Sequence, residues 1–400
     1  MRGRIFSLGA AAVAAAVAGC GLTTSPSPTA AALPSPTRVA VTATPPPSAL
    51  ETLEALDPAS VELHLLDARF VPAGAPVSAG GEVVWAAGNP SPSEIWRFSP
   101  GEAEPERIFA SPRVGATITA VTASDAGYAF VEISKPEFGR GGWRVWYLPG
   151  PGAEPVLLDA GVARWAGSLP TISMDEDRVA WAGFDEPPGV GAAEALRRGV
   201  SRIAVASRDD PPVVTTLLEL PVRKRLLWYP ALHGDELWYG LIRADVGPAD
   251  PEHYHIEMLD LANPGAAPIQ FAEPGLVFNP AVTDRFVVWK ANEIGDAALN
   301  WGTITVLDRA SDAVRTVPVE HANNPSAGDR FIAFDEITHS RLILYDTTTG
   351  DILDLGAAHR DELGDGVLFG GQSVSGRVLS FLFQDATSPT PMIGWAILPE

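Results

Sequence analysis

Apolar residues in this chain come in short runs broken by Gly, Pro, Asp and Ser. Runs of this kind, rich in Val, Ile, Leu and aromatic residues and bounded by turn formers, predict β-strands. One run recurs and ends each time in an aromatic residue. It appears as Val83-Val84-Trp85, Tyr128-Ala129-Phe130, Val179-Ala180-Trp181, Leu237-Trp238-Tyr239, Val287-Val288-Trp289, Ile332-Ala333-Phe334 and Leu379-Ser380-Phe381. The aromatic-to-aromatic spacings are 45, 51, 58, 50, 45 and 47 residues. A fixed spacing near this length is the mark of a repeat architecture.

A second feature keeps the same register. Proline lies nine residues before the aromatic in four copies, as Pro76, Pro230, Pro280 and Pro325, and Pro170 lies eleven before Trp181. A third run follows each aromatic, clearest in Leu342-Ile343-Leu344-Tyr345 before Asp346-Thr347-Thr348-Thr349-Gly350. A fourth follows in turn, such as Ile352-Leu353-Asp354-Leu355. Each unit thus reads as four short strands, the make-up of a β-propeller blade. The chain is predicted to be all-β, a seven-bladed β-propeller of four-stranded antiparallel blades over residues 51–400. The last unit stops after three runs, while the first is preceded by an extra one, Val61–Leu66. This run is expected to complete the last blade and close the ring by an N-terminal strand, removing an exposed sheet edge. The Pro-x8-aromatic register and the Leu-Tyr-Asp third run resemble TolB-like and WD-like propeller repeats, a resemblance that implies an architecture and leaves the function open.

The first residues carry an address. Arg2 and Arg4 precede an apolar stretch, Ile5–Ala18, which is shorter than the roughly twenty residues of a membrane span. It ends in Val17-Ala18-Gly19-Cys20, which resembles a bacterial lipobox, and Cys20 is the only cysteine of the chain. The resemblance implies a signal peptide over 1–19, lipidation of Cys20 and anchoring in the cell envelope, outward of the cytoplasmic membrane. Ser, Thr and Pro make up 17 of the 30 residues of 21–50. Residues 20–50 are therefore expected to be an extended, disordered tether reaching up to about 90 Å at roughly 3.1 Å per residue.

Charge narrows the partners. Beyond residue 50 there are 25 basic and 49 acidic residues, a net charge near −24, which argues against a nucleic-acid ligand. Long connections are expected after the second strand at Ser134–Gly142, Phe184–Gly199, Ala244–Tyr254 and Asn292–Asn300, where functional loops are common. Arg197 and Arg198 lie on the second of these, and Arg243 precedes the third. Together they are expected to offer positive charge to an acidic protein segment or anionic glycan. By the geometry of propellers, several other polar residues belong to the same face: Glu132, Asp185, Lys290, Glu293, Asp335, Glu336 and Asp385, with Arg223-Lys224-Arg225, Asn279, Glu320-His321, Asn323-Asn324 and His359-Arg360-Asp361-Glu362 from the connections between units. His253 and His255 sit two apart, on one side of a strand, and are counted with the three arginines as candidate binding residues; they lack a fixed third ligand, so no metal or other cofactor is expected. Trp85, Trp181 and Trp289 are expected to pack between neighbouring blades.

No G-x-S-x-G, H-E-x-x-H or P-loop pattern occurs, so no catalytic residue is assigned. The expectation is a monomeric, lipid-anchored scaffold or recognition module for an envelope protein, peptide or glycan. The rival is a propeller enzyme, a lyase, glycosidase or lactonase-type hydrolase, with its site at the central funnel.

Overall fold

The computed structural model describes residues 37–40, 56–66, 75–88, 92–134, 141–163, 169–186, 194, 197–209, 212–243, 245–247, 250, 253–263, 265–272, 276–292, 302–336, 338–363, 368–384 and 391–400. The repeated runs form seven separate antiparallel sheets, each built from strands consecutive in the chain apart from two additions at outer edges. The inner strands are Val77–Ala79, Thr117–Ser124, Thr171–Met174, Arg225–His233, Leu276–Val282, Ala322–Ala327 and Leu368–Ser375, which number the blades one to seven. Each touches the next around a ring, and the seventh touches the first. Second strands are covered on both sides, so that Gly127–Ile133 is buried along its whole length. Outer strands such as Val214–Pro221 carry mostly exposed residues. The chain is thus the seven-bladed β-propeller that the repeats predict.

The ring closes as the extra run implies. Glu62–Leu65 pairs antiparallel with the last strand, from Glu62 opposite Ile397 to Leu65 opposite Gly394. The Leu66 N–H then donates to the Ile393 carbonyl at 3.0 Å. The seventh blade therefore combines the two ends of the propeller, and opening the ring requires breaking a sheet.

Every blade-to-blade junction has its own apolar core. Trp85 packs with Phe98, Ile393 and Trp395 where blade one meets blade seven. Trp181 joins Val145 and Tyr147 between blades two and three, and Trp289 joins Trp238 and Ile256 between blades four and five. Comparable clusters fill the other four junctions. All three repeat tryptophans are buried, with at most 1% of their surface exposed, in the inter-blade packing that the spacing predicts. Close fit leaves no room for a side chain at Gly394, where a Cβ would lie 2.3 Å from the Phe381 ring.

Polar ties reinforce the junctions along the inner strands. Ser173 Oγ accepts the Leu232 N–H at 3.0 Å, Ser326 Oγ the Val374 N–H at 2.9 Å, and Ser373 Oγ the Ser78 N–H at 3.0 Å. The last of these crosses the point of closure. At the turns between first and second strands, Arg178 pairs with Asp235 and His233 with Asp284, and Arg309, in the turn between the third and fourth strands of blade five, pairs with Glu236, each across a junction.

One addition lies outside the repeat pattern. Thr37–Ala40, within the stretch expected to be tether, pairs in parallel with Ile269–Ala272, giving blade four a fifth strand. Arg38 is the only basic residue between Arg4 and Arg69. Trypsin should consequently cut after Arg38 slowly in the wild type and at least about tenfold faster when Thr37, Val39 and Ala40 are all changed to Gly, because Gly weakens a strand. Equal rates, read by mass spectrometry, would argue against the added strand. Removal of residues through Leu66 is expected to leave the Gly394–Ile397 edge bare and to cause aggregation. A monomeric 71–400 fragment of normal thermal stability would rule out closure by this strand.

Candidate functional site

The spacing of proline and aromatic has a structural cause. In blade four Trp228 pairs with Gly240 and Ala231 with Trp238, so Tyr229 and Pro230 together face Tyr239. Asn279 and Pro280 face Trp289 in the same way, and Asn324 and Pro325 face Phe334. Gly371 and Gln372 face Phe381. Two residues opposite one is a β-bulge. The first residue of each bulge is left-handed, with φ of 46° at Tyr229, 48° at Asn279, 47° at Asn324 and 59° at Gly371. Proline is tolerated at the second position because an inner strand has no further strand beside it to claim its missing N–H. Backbone held in this region costs energy and is often found at binding sites.

The bulges lie midway along the inner strands, opposite the middle of the second strands, and Asn323, Lys290 and Asp335 lie one step nearer the ends at which the chain enters from the preceding blade. We call this part of the channel wall the mouth of the ring. Asn279 Nδ2 donates to Asn324 Oδ1 at 3.1 Å, from blade five to blade six. Gln372 Nε2 donates from blade seven to the Asn324 carbonyl and, at 2.9 Å, to Asp335 Oδ1. Lys290 is buried and its ammonium donates to Asn323 Oδ1 at 2.9 Å. On blade four the Trp228 and Tyr229 rings stack at 5.3 Å with 8° between their planes, both half-buried. The Tyr229 N–H donates to Thr171 Oγ1 of blade three at 3.1 Å.

Burial raises the Asp335 carboxyl above the usual aspartate range, against the opposing pull of Gln372, Asn324 and Lys290. Of the mouth residues, Asn279, Lys290, Asn323, Asn324 and Asp335 are among those the sequence assigns to this face. Gln372 and the Trp228–Tyr229 pair are not. The signal for Gln372 is a missing proline, since it stands nine residues before Phe381, where the other bulges carry Pro.

The remaining sequence candidates lie elsewhere. Arg197 donates to both carboxylate oxygens of Glu194, and Arg198 lies 3.8 Å from the same group. Arg243 forms a forked pair with Asp245 at 3.1 and 3.2 Å. The rim arginines therefore carry their own counter-ions. Most of Phe184–Gly199, like Cys20, Glu293 and Asp385, falls outside the described residues. His253 and His255 are both buried. The His253 ring contacts the Val246 carbonyl at 3.1 Å, and burial lowers its basicity. His255 Nδ1 accepts from Gln270 Nε2 at 2.9 Å. Among the described residues no three His, Cys, Asp or Glu side chains are grouped to hold a metal ion. A cavity of about 580 Å³ lies at the outer rim, between the closing strand and the turn Pro100–Pro105 of blade one, with His64 stacked on Trp395 at 4.0 Å.

No protein-family model matches the chain, and no curated protein sequence does. Solved structures do. The β-propeller domain of the Trilobed protease from Pyrococcus furiosus, described as having an open velcro topology, superposes with a TM-score of 0.58 at 11% identity, over 82% of this chain and 95% of that one. Acylaminoacyl peptidase from Pyrococcus horikoshii gives 0.55 at 13% identity, over 83% of this chain and 52% of that one. A prolyl endopeptidase structure gives 0.54 at 13% identity, over 84% and 46%. This chain thus spans about half the length of those two peptidases. The likeness is one of fold.

The raised Asp335 pKa has a sign. Its folded value lies above the ordinary 3.8, so its contribution to stability is fully present below that pH and is lost as pH rises through the folded value. The melting temperature of Asp335→Asn, relative to wild type, should therefore climb with pH from about 4 upward and level off once the wild-type carboxyl is ionised. A difference that stays flat between about pH 3 and pH 8 would show that burial does not shift this group.

Proposed function

We propose that this protein is a binding module held outside the cytoplasmic membrane by a lipidated Cys20, and that the mouth of the ring over blades four to seven receives its partner. The observation that carries the reading is the side-chain network from Asn279 through Asn324 and Asp335 to Gln372, which links three blades. Residues far apart in sequence converge there, on strands fixed by the seven inter-blade cores. A rigid scaffold presenting polar groups from several repeats on one ring face is the usual binding arrangement of repeat proteins. The lipobox-like Val17-Ala18-Gly19-Cys20 and the Pro-rich segment behind it support attachment to a membrane. A second reading, an enzyme acting at the funnel, draws on Asp335, since a carboxyl with a raised pKa beside a buried lysine is a candidate acid or base.

Two measurements separate these statements. Wild-type protein should partition into detergent with a diacylglyceryl group on Cys20, whereas Cys20→Ala should stay unprocessed and lose the modification. Cleavage elsewhere, with an unmodified Cys20, would refute the anchor. In pull-downs from membrane extracts, Asn279→Ala and Trp228→Ala should lose partners that Arg197→Glu with Arg198→Glu retains. Retention by the mouth variants and loss by the arginine variant would move the binding face to the rim.

A further inference from the structure

The two ends of the propeller meet around a cavity. It measures about 580 Å³ and lies between the closing strand Glu62–Leu65, the last strand of blade seven and the turn Pro100–Pro105 of blade one. That size falls within the roughly 300–1,000 Å³ of ordinary ligand sites. Its lining includes the buried Trp395, Phe98 and Leu66, with the Phe98 and Trp395 rings 5.5 Å apart. His64 stacks on Trp395 and is itself 36% exposed.

The charged part of the lining has one sign. Glu62, Glu102 and Glu104 are all exposed there, and among the described residues no lysine or arginine lines the cavity. Glu62 lies 3.0 Å from His64, and Arg97 approaches Glu102 only to 3.9 Å. Carboxylates beside flat rings suit an arginine, whose guanidinium both stacks on rings and forks onto carboxylates. Its aliphatic stem can cover apolar surface. With 25 basic and 49 acidic residues beyond residue 50, the domain attracts a basic partner and repels an acidic one.

One wall of the cavity is also an open sheet edge. The closing strand is the outermost strand of blade seven, and no described strand pairs with its outer side. The Leu66 N–H points inward, to the Ile393 carbonyl. Antiparallel pairing alternates, so Leu63 and Leu65 turn their backbone groups outward. Such an edge can take a further extended segment. Blade four does this already, where Thr37–Ala40 adds four residues to the outer strand. The closing strand offers the same length, with Glu62 and His64 two apart on one face.

We propose that the closure of the ring docks an extended, arginine-bearing segment of a partner protein. The segment adds to the outer edge of Glu62–Leu65 and places a guanidinium in the cavity among Glu62, Glu102 and Glu104. This site is on the rim and stands apart from the mouth.

The test uses purified full-length protein in detergent, followed by calorimetry and melting curves. The probes are the capped peptide Gly-Arg-Leu-Arg-Leu-Gly, its counterpart with glutamate in place of arginine, and spermine. The arginine peptide should bind saturably and raise the melting temperature with concentration, since its contacts exist only while the strand is closed. Glu62→Gln with Glu104→Gln should weaken it about tenfold. Leu65→Pro, which deletes an outward N–H and keeps the pairing to blade seven, should do the same. Glu154→Gln with Glu176→Gln makes the same charge change at exposed turns of blades two and three. That variant, and Asn279→Ala at the mouth, should bind as wild type does. Should Leu65→Pro melt early without peptide, the glutamine pairs decide alone. Absence of saturable binding, or equal losses in the two glutamine pairs, overturns the proposal. So does full affinity in a stably folded Leu65→Pro, which would leave a cation site without strand addition. Spermine binding more tightly than the peptide, and lost with Glu62 and Glu104, also overturns it in favour of a free polyamine.

Discussion

The cross-strand pairing of a second-strand aromatic with an inner-strand bulge ties the core of this protein to its surface. Trp289 is buried between blades four and five, and Asn279 and Pro280 lie opposite it. Phe381 is buried between blades six and seven, and Gly371 and Gln372 lie opposite it. The same register that sets an aromatic into the junction thus presents a left-handed residue at the mouth. Burial of a large aromatic side chain is worth roughly 3–5 kcal/mol by truncation, more than one strained backbone position costs. The bulges persist because moving them would pull the aromatics out of the junctions.

That coupling explains what was readable. Proline nine residues before an aromatic, as at Pro230, Pro280 and Pro325, is the linear trace of a bulge facing a wedge and fixes the register, while the seven recurring aromatics predict the blade number. The closing strand was legible by subtraction, since Val61–Leu66 was one run too many and the last unit one too few. The mouth was legible only in part. Lys290, Asp335 and the asparagines stand out as polar residues beside the repeat aromatics. Gln372 is conspicuous only once proline is understood to be the default there. Tyr229 precedes a repeat proline as Asn279 and Asn324 do, but no polar side chain marks it as they are marked.

The rim arginines carry counter-ions for a reason that distance along the chain already contains. Glu194 lies three residues before Arg197 and four before Arg198, a spacing at which helical side chains meet. Asp245 lies two residues after Arg243 and takes its guanidinium in a fork. Exposed pairs of this kind add little stability, but they remove the local positive potential that a long-range attraction would need. In a domain with nearly twice as many acidic as basic residues, an arginine without a nearby carboxylate is the exception. Lys290 is a different case. It is buried and held by Asn323, so it serves the geometry of the mouth rather than the field around the protein.

The parallel strand Thr37–Ala40 had no sequence signal, being four residues in a segment dominated by Ser, Thr and Pro. Its consequence is geometric. A tether free from 21 to 50 would let the ring drift up to about 90 Å from its anchor. With residues 37–40 fixed to blade four, only residues 21–36 remain between Cys20 and the first point of attachment, about 50 Å when extended. The attachment is to the outermost strand of a blade, so the proposed anchor would hold the ring by its rim.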